Sequence, residues 1–439
     1  MATSNILPNY LLLLFFLLFY FSASTAIDIQ IHHSTPPSSA DSPLSSILQL
    51  ARSADPARLS LLFSQKKTSG GTSVPIASGQ NLLQTPSYVL RASLGSPPQA
   101  LLLSLDTGSD SAWLPCSPCS SCTPAAPPFS PSNSSSFSPL PCSSPLCPLL
   151  NAASQPPCYA PSSSPCSYSQ SYADSSFTAA LSRDSLRLAL DVIPNYVFGC
   201  VTSVAGPTIP KQGLLGLGRG PLSLLSQTGD LYKGVFSYCL PSYKSYYFSG
   251  SLRLGPAGQP HYARFTPLLK NPHRPSLYYV NMTGISVGRV KVVVPGQPGA
   301  FGFDPATGAG TVVDSGTVVS RFTAPIYAAL REEFRRQVNA SGAGGFSSLG
   351  VFDTCFSTDE VGATPPITLH MDGGVDLTLP VESTLIHSSA TPLACLAMAE
   401  APPNVNAVVN VLANLQQQNL RVVLDVANSR VGFARELCN

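Results

Sequence analysis

Two tetrapeptides in this chain have the composition of a reactive site: Asp106-Thr107-Gly108-Ser109 and Asp314-Ser315-Gly316-Thr317. Each is an aspartate, a small hydroxyl residue, a glycine and a second small hydroxyl residue. Each follows an apolar run, Leu101 to Leu105 and Val312-Val313. Two carboxylates a few ångströms apart do not both ionise readily, so they share one proton. The ionised member can pull a proton from a water held between them while the protonated member donates to a scissile carbonyl oxygen. The water then attacks, a gem-diol forms, and the proton passes on to the leaving nitrogen. This chemistry calls for no covalent intermediate, metal or cofactor. The flanking residues have matching tasks. Gly108 and Gly316 let backbone amides approach the carboxylates without a clashing Cβ. Ser109 and Thr317 can donate to the outer carboxylate oxygens, and Thr107 and Ser315 can tie one half of the molecule to the other.

Two aspartates so far apart in sequence meet only if two similar halves present them. A second element, an apolar pair running into a small residue, also occurs twice: Leu214-Leu215-Gly216, ending 110 residues after Asp106, and Val411-Leu412-Ala413, ending 99 after Asp314. Two motifs in the same order at similar spans describe a duplicated lobe. From Tyr88 onward short apolar runs alternate with Gly and Pro, which predicts strands over Tyr88 to Leu94, Ala100 to Leu105, Tyr196 to Phe198 and Tyr278 to Val280. One helix is predicted after the second tetrapeptide, with Thr323 as N-cap and Pro325 in its first turn. Its buried face is Ile326, Leu330, Phe334 and Val338. The fold class is all-β, in two lobes with a few short helices.

At 439 residues the chain can bury two cores. Charged residues are 10 % and the formal net charge is +2, too neutral for a nucleic-acid surface. An apolar run from Leu11 to Phe21, followed by Ser24 and Ala26, has the form of a signal peptide over residues 1–26, although no Lys or Arg precedes it. An uncleaved anchor is the alternative, for which the run is short. Residues 27–80, rich in Ser, Pro and Ala and carrying Arg52, Arg58, Lys66 and Lys67, are expected to be a propeptide that covers an acidic site. Twelve cysteines behind a signal peptide predict six disulfides. Seven of them lie between Cys116 and Cys166, so if all pair, at least one must reach outside that segment. Cys116, Cys119 and Cys122 also have the spacing of zinc ligands, without a nearby histidine. Asn133, Asn281 and Asn339 head glycosylation triplets and are expected on the surface.

From Tyr88 to Cys438 the chain resembles a pepsin-family aspartic protease, and more narrowly the plant nepenthesin-like or atypical group. The residues that carry the resemblance are Asp106 to Cys116 with the Cys-rich insert after it, Phe198-Gly-Cys200, Gly216 to Ser223, Phe236 to Cys239, Val313 to Thr317, Asn414 to Asn419 and Val431 to Ala434. The resemblance implies an N-terminal lobe over 81–275 with a Cys-rich insert at 116–166, and a C-terminal lobe over 276–439. It implies Asp106 and Asp314 as the dyad in the cleft between them. Trp113 holds the position of the tryptophan that supports the flap tyrosine, for which Tyr172 is the best match. Ala173 and Ser175 stand where the family's flap has glycines, which predicts a strained or reshaped flap if those positions need positive φ. Ala413 likewise replaces a glycine. The implied protein is an aspartic endopeptidase made as a zymogen, secreted to the extracellular space or apoplast, with vacuole or plastid as alternatives. It is expected to be a monomer acting on polypeptides, optimally in acid, and off the membrane once the signal is removed. Some relatives of this group instead inhibit cell-wall-degrading glycosidases, so a non-catalytic binding protein is the rival.

Three other motifs compete. Gly284-Ile-Ser286-Val-Gly288 has the pattern of a serine-hydrolase elbow, which needs a strand, a tight turn and a helix. The β-branched residues around it predict a hairpin instead. Gly213 to Gly220 is glycine-rich but lacks phosphate-loop spacing. Asp372-Gly-Gly-Val-Asp376 is expected to be a polar hairpin turn rather than a calcium loop.

Overall fold

The computed structural model describes residues 71–123, 127–150, 163–172, 175–342, 344–359, 361, 363–388, 391–403 and 408–438. The expected signal peptide, and the expected propeptide up to residue 70, lie outside them.

Six consecutive strands run inward from one edge of a 14-stranded sheet and, because they draw on both halves of the chain, are termed the central sheet, in the order Arg264–Pro267, Arg430–Arg435, Leu420–Asp425, Val235–Cys239, Gly250–Leu254 and Thr72–Ser78. The last of these pairs with Gly250–Leu254 on one side and Tyr88–Leu94 on the other. Val74 and Ile76 are buried in it. Among the described residues the core thus already includes Thr72–Ser78, a strand inside the span expected to be a propeptide and ahead of Tyr88. Val74 and Ile76 suit a strand, but Pro75 between them breaks the signal; the neighbouring strands supply the ladder.

The duplication is explicit in the strand pairing. In the first half Tyr88–Leu94 runs antiparallel to Gln99–Asp106, which runs parallel to Leu214–Gly216; that strand meets Trp113–Ser120 antiparallel, and Trp113–Ser120 runs parallel to Asp191–Ala205. In the second half Tyr279–Val280, Gly310–Val313, Val409–Leu412, Ser320–Phe322 and Met398–Glu400 repeat the same sequence of antiparallel, parallel, antiparallel and parallel contacts. Each tetrapeptide follows the end of a strand whose side chains are buried, so each aspartate is delivered by a rigid element.

The predicted helix is Ala324–Ala340, with Ile326, Tyr327, Leu330, Phe334 and Val338 buried. Thr323 occupies the N-cap position, but its side chain makes no capping bond. Among the described residues no helix is long and apolar enough to cross a membrane.

The Cys-rich insert builds a second core. Leu140, Cys147, Leu150 and Cys166 pack with Trp113, Tyr168, Phe177 and Leu181. Five disulfides are described: Cys116–Cys200, Cys119–Cys122, Cys147–Cys166, Cys239–Cys438 and Cys355–Cys395. Cys116 is the member of the odd set that reaches outside the insert, and all three sulfurs with zinc-like spacing are in disulfides. Asn133 and Asn339 are exposed, as expected. Asn281 is only half-exposed, because its amide donates to Asp372 Oδ2 at 2.8 Å and accepts from the Phe303 N–H at 2.8 Å. Asp372 to Gly374 form the turn between Ile367–Met371 and Val375–Thr378, with Gly373 and Gly374 at φ +78 and +69.

Candidate active site

Asp106 ends its strand, and the chain turns back at once, so nearby donors fall on its carboxylate. The Gly108 N–H donates to Oδ1 at 2.8 Å and the Ser109 hydroxyl to Oδ2 at 2.6 Å. Asp314 receives the same pair: the Gly316 N–H to Oδ1 at 2.9 Å and the Thr317 hydroxyl to Oδ2 at 2.6 Å. Beneath them the two halves interlock. The Thr107 N–H donates to Ser315 Oγ at 3.1 Å, and the Ser315 N–H donates to Thr107 Oγ1 at 2.9 Å. Each hydroxyl continues into the other half, Ser315 Oγ to Leu105 O at 3.2 Å and Thr107 Oγ1 to Val313 O at 3.5 Å. Thr107 and Ser315 are fully enclosed, where an unmade bond is expensive.

The glycines report how near the carboxylates lie. A methyl at Gly108 would sit 3.2 Å from Asp314 Oδ1 and 3.3 Å from Asp106 Oδ1, and one at Gly316 would collide with Asp106 Oδ1 outright. Both inner oxygens thus face one small volume. Burial first, and the neighbouring Asp314 second, push the Asp106 carboxyl up to about 6, against the opposing pull of Ser109 and Gly108. The Asp106 carboxyl therefore keeps its proton in mildly acidic solution.

Trp113 is buried and packs on Phe177 with ring centroids 4.6 Å apart. Phe177 belongs to the hairpin whose strands are Ser167–Tyr172 and Ser175–Leu188. Tyr172 stands at its tip, paired with Ser175; its side chain and Ala173 lie outside what is described. Ser175, the first residue of that second strand, does not point into solvent. Its hydroxyl instead accepts from the Thr208 N–H at 3.0 Å and the Thr208 hydroxyl at 2.7 Å. Serine at this position anchors the hairpin to a neighbouring loop. Ala413 is free of strain, at φ −93 and ψ 172, fully buried, its N–H bonded to Ser320 Oγ at 2.9 Å.

The Gly-x-Ser-x-Gly motif does lie on a hairpin, Met282–Val287 with Val290–Lys291. Ser286 Oγ is 2.8 Å from His370 Nε2, and His370 Nδ1 is 2.7 Å from Asp376 Oδ1. This chain of groups has the order of a hydrolytic triad but not its setting. Ser286 sits inside a strand paired on both sides, without the turn into a helix that exposes a nucleophile.

Two family models match the chain: Xylanase inhibitor N-terminal over residues 88–256 and Xylanase inhibitor C-terminal over residues 277–435. Aspartyl protease 25 of Oryza sativa subsp. japonica is 62% identical over 428 residues, 94% of this chain and 95% of the rice protein. The chain belongs to the pepsin-like aspartic protease family. Other members of that family are Aspartyl protease AED3 of Arabidopsis thaliana, 57% identical over 84% of this chain and 80% of its own, and Aspartic proteinase nepenthesin-1 of Nepenthes gracilis, 37% identical over 80% and 78%. Among solved structures, that titled "Crystal structure of edgp" superposes with a TM-score of 0.67 at 20% identity, covering 85% of this chain and 97% of the other. "Crystal structure of Basic 7S globulin from soybean" gives 0.63 at 21%, covering 83% and 96%. These two report the fold this protease-family chain shares.

Sequence reasoning overlooked the residues that hold the site from below. Asp110 Oδ1 accepts the Gly220 N–H at 2.8 Å, joining the first tetrapeptide to its partner loop. Asn414 donates to Ser315 O at 3.0 Å. Gln417 donates to Asp314 O at 3.1 Å and is buried, as are its neighbours Gln416 and Gln418, whose partners lie away from the site. Three adjacent glutamines beside an apolar strand were the available signal, since buried amides need dedicated partners.

Proposed function

We propose that this protein is an aspartic endopeptidase in which Asp106 and Asp314 activate one water against a peptide carbonyl. The observation that carries the reading is the shared volume between their inner oxygens, with each outer oxygen bound by a hydroxyl of its own half. The raised Asp106 carboxyl suits the protonated partner, and an activity bell centred in acid follows from needing one charged and one neutral carboxyl. Gly108, Gly316, Ser109 and Thr317 set the carboxylates' orientation, and Thr107 and Ser315 hold the halves in register. Trp113 supports the hairpin bearing Tyr172, which closes over a polypeptide substrate. The leader-like residues 1–26 and the following Ser/Pro-rich span direct secretion to the extracellular space and keep the protein a zymogen. The lobes span 81–275, with the strand Thr72–Ser78 added to its sheet, and 276–439, and the enzyme works as a monomer.

The test is incubation of purified, acid-activated protein with an unfolded protein substrate. Cleavage by the natural chain and none by Asp106→Asn or Asp314→Asn supports the reading; full activity in either variant contradicts it. The names of the matching family models favour one second reading, a glycosidase-binding protein on the same fold. Retention of both aspartates with complete donor sets argues for catalysis, and the same incubation separates the two.

A further inference from the structure

The two aspartates have closely similar side-chain surroundings, apart from the Thr107 hydroxyl 3.4 Å from Asp314 Oδ1, but their main chains are secured differently. The Asp106 carbonyl accepts the backbone N–H of Leu217 at 2.8 Å. The Asp314 carbonyl accepts a side chain, Gln417 Nε2, at 3.1 Å. The same Nε2 donates to Leu412 O at 2.7 Å, and Leu412 O also receives the Asp314 N–H at 3.0 Å. Gln417 Oε1 accepts the Tyr238 hydroxyl at 2.7 Å. Tyr238 stands on Val235–Cys239 in the central sheet, and both side chains are wholly buried. With two donor contacts and one acceptor contact made in a closed space, the amide has one orientation open to it.

We propose that Tyr238 and Gln417 are positioning residues for the second aspartate: a relay that runs from the central sheet through one amide to the main chain of Asp314 and fixes where its carboxylate points. The inference rests on the dyad reading above. The neighbouring glutamines show why 417 is the working member. Gln416 accepts from the Ser320 N–H and donates to Ser383 O and Ala397 O. Gln418 accepts from the Tyr243 N–H and donates to Leu415 O. Neither touches Asp314. Burial, and secondarily the charge of Asp314, hold the Tyr238 phenol well above its ordinary value. It is therefore a neutral donor wherever the enzyme works. Displacement of a reacting group by a fraction of an ångström lowers turnover without altering ground-state binding.

The experiment measures kcat and KM on a peptide substrate for the acid-activated full chain. The variants are Gln417→Met, Tyr238→Phe, their combination, and Gln418→Met, which removes an equally buried amide outside the relay. Expected are losses in kcat of about 30- to 100-fold for Gln417→Met and about 5- to 10-fold for Tyr238→Phe, with KM within about twofold. Because the groups act in series, the double variant should match Gln417→Met within about threefold. Gln418→Met should stay within about twofold of the natural chain. Unchanged kcat in both single variants, losses confined to KM, losses that multiply, or an equal loss in Gln418→Met would each overturn the relay. If Gln417→Met does not fold, Tyr238→Phe decides alone, since it keeps the ring and loses only the hydroxyl. Asp106→Asn run alongside keeps the two ideas apart: activity there sinks the dyad, whereas an inactive Asp106→Asn with unaffected relay variants sinks only the relay.

Discussion

Set side by side, the two lobes agree at the surface of the site and differ one layer down. Above, each aspartate takes one glycine N–H and one hydroxyl of its own half, Asp314 Oδ1 adding only a long contact from the Thr107 hydroxyl at 3.4 Å, and the lobes exchange hydroxyls. Below, the first aspartate leans on backbone and on Asp110, whereas the second leans on buried amides. Duplication supplied the fold with two copies of a carboxylate, and chemistry needs the copies to be unequal, one neutral and one charged. The asymmetry resides in the support.

The strongest way to test equivalence is to remove each charge in turn. Asp106→Asn and Asp314→Asn should each lower kcat at least ~10³-fold in a peptide-cleavage assay while circular dichroism stays unchanged. A large difference between them would show that one carboxylate can act alone. The glycines offer a sharper contrast. Gly316→Ala drives a methyl into Asp106 Oδ1, whereas Gly108→Ala meets the two inner oxygens at 3.2 and 3.3 Å. Turnover should therefore fall about 100-fold in the first and about 10-fold in the second. Equal losses would mean the halves yield equally. The interlock comes next. Thr107→Val orphans the buried Ser315 N–H, and Ser315→Ala orphans the Thr107 N–H, so each should cost ~1–3 kcal/mol in a denaturant titration.

The remaining contrast is one of pH. The folded Asp106 carboxyl, at about 6, binds its proton more tightly than an unfolded aspartate does at about 3.9. Its contribution to stability is therefore lost as pH rises from about 4 to about 6 and stays lost above. Asp106→Asn removes that dependence, so the variant should be more stable than the natural chain at pH 7 by up to ~2–3 kcal/mol and no more stable at pH 3. Thermal melts at the two pH values check it.

The tetrapeptides, the duplicated strands and the helix after Asp314 were legible because each is a local pattern. Alternating burial marks the strands, and a four-residue period marks the helix. The strand Thr72–Ser78 was not legible, since its burial comes from partners more than 170 residues away in sequence for Gly250–Leu254. The second core beneath the Cys-rich insert was hidden for a similar reason: Leu140 and Leu150 are isolated in a Ser/Pro tract and become core only against Trp113 and Phe177. The supporting amides escaped because a glutamine's partner is set by tertiary placement and leaves no period in the chain. Ser175 looked like a defect by comparison with glycine, yet its hydroxyl gives the hairpin an attachment that glycine lacks.

The bridge between Cys239 and Cys438 has a topological consequence. It closes a covalent ring that starts on a strand of the central sheet and takes in the second aspartate and the chain's last strands. A single nick anywhere in that ring leaves both pieces covalently joined. Damage must strike twice, or the bridge must be reduced, before any fragment can leave.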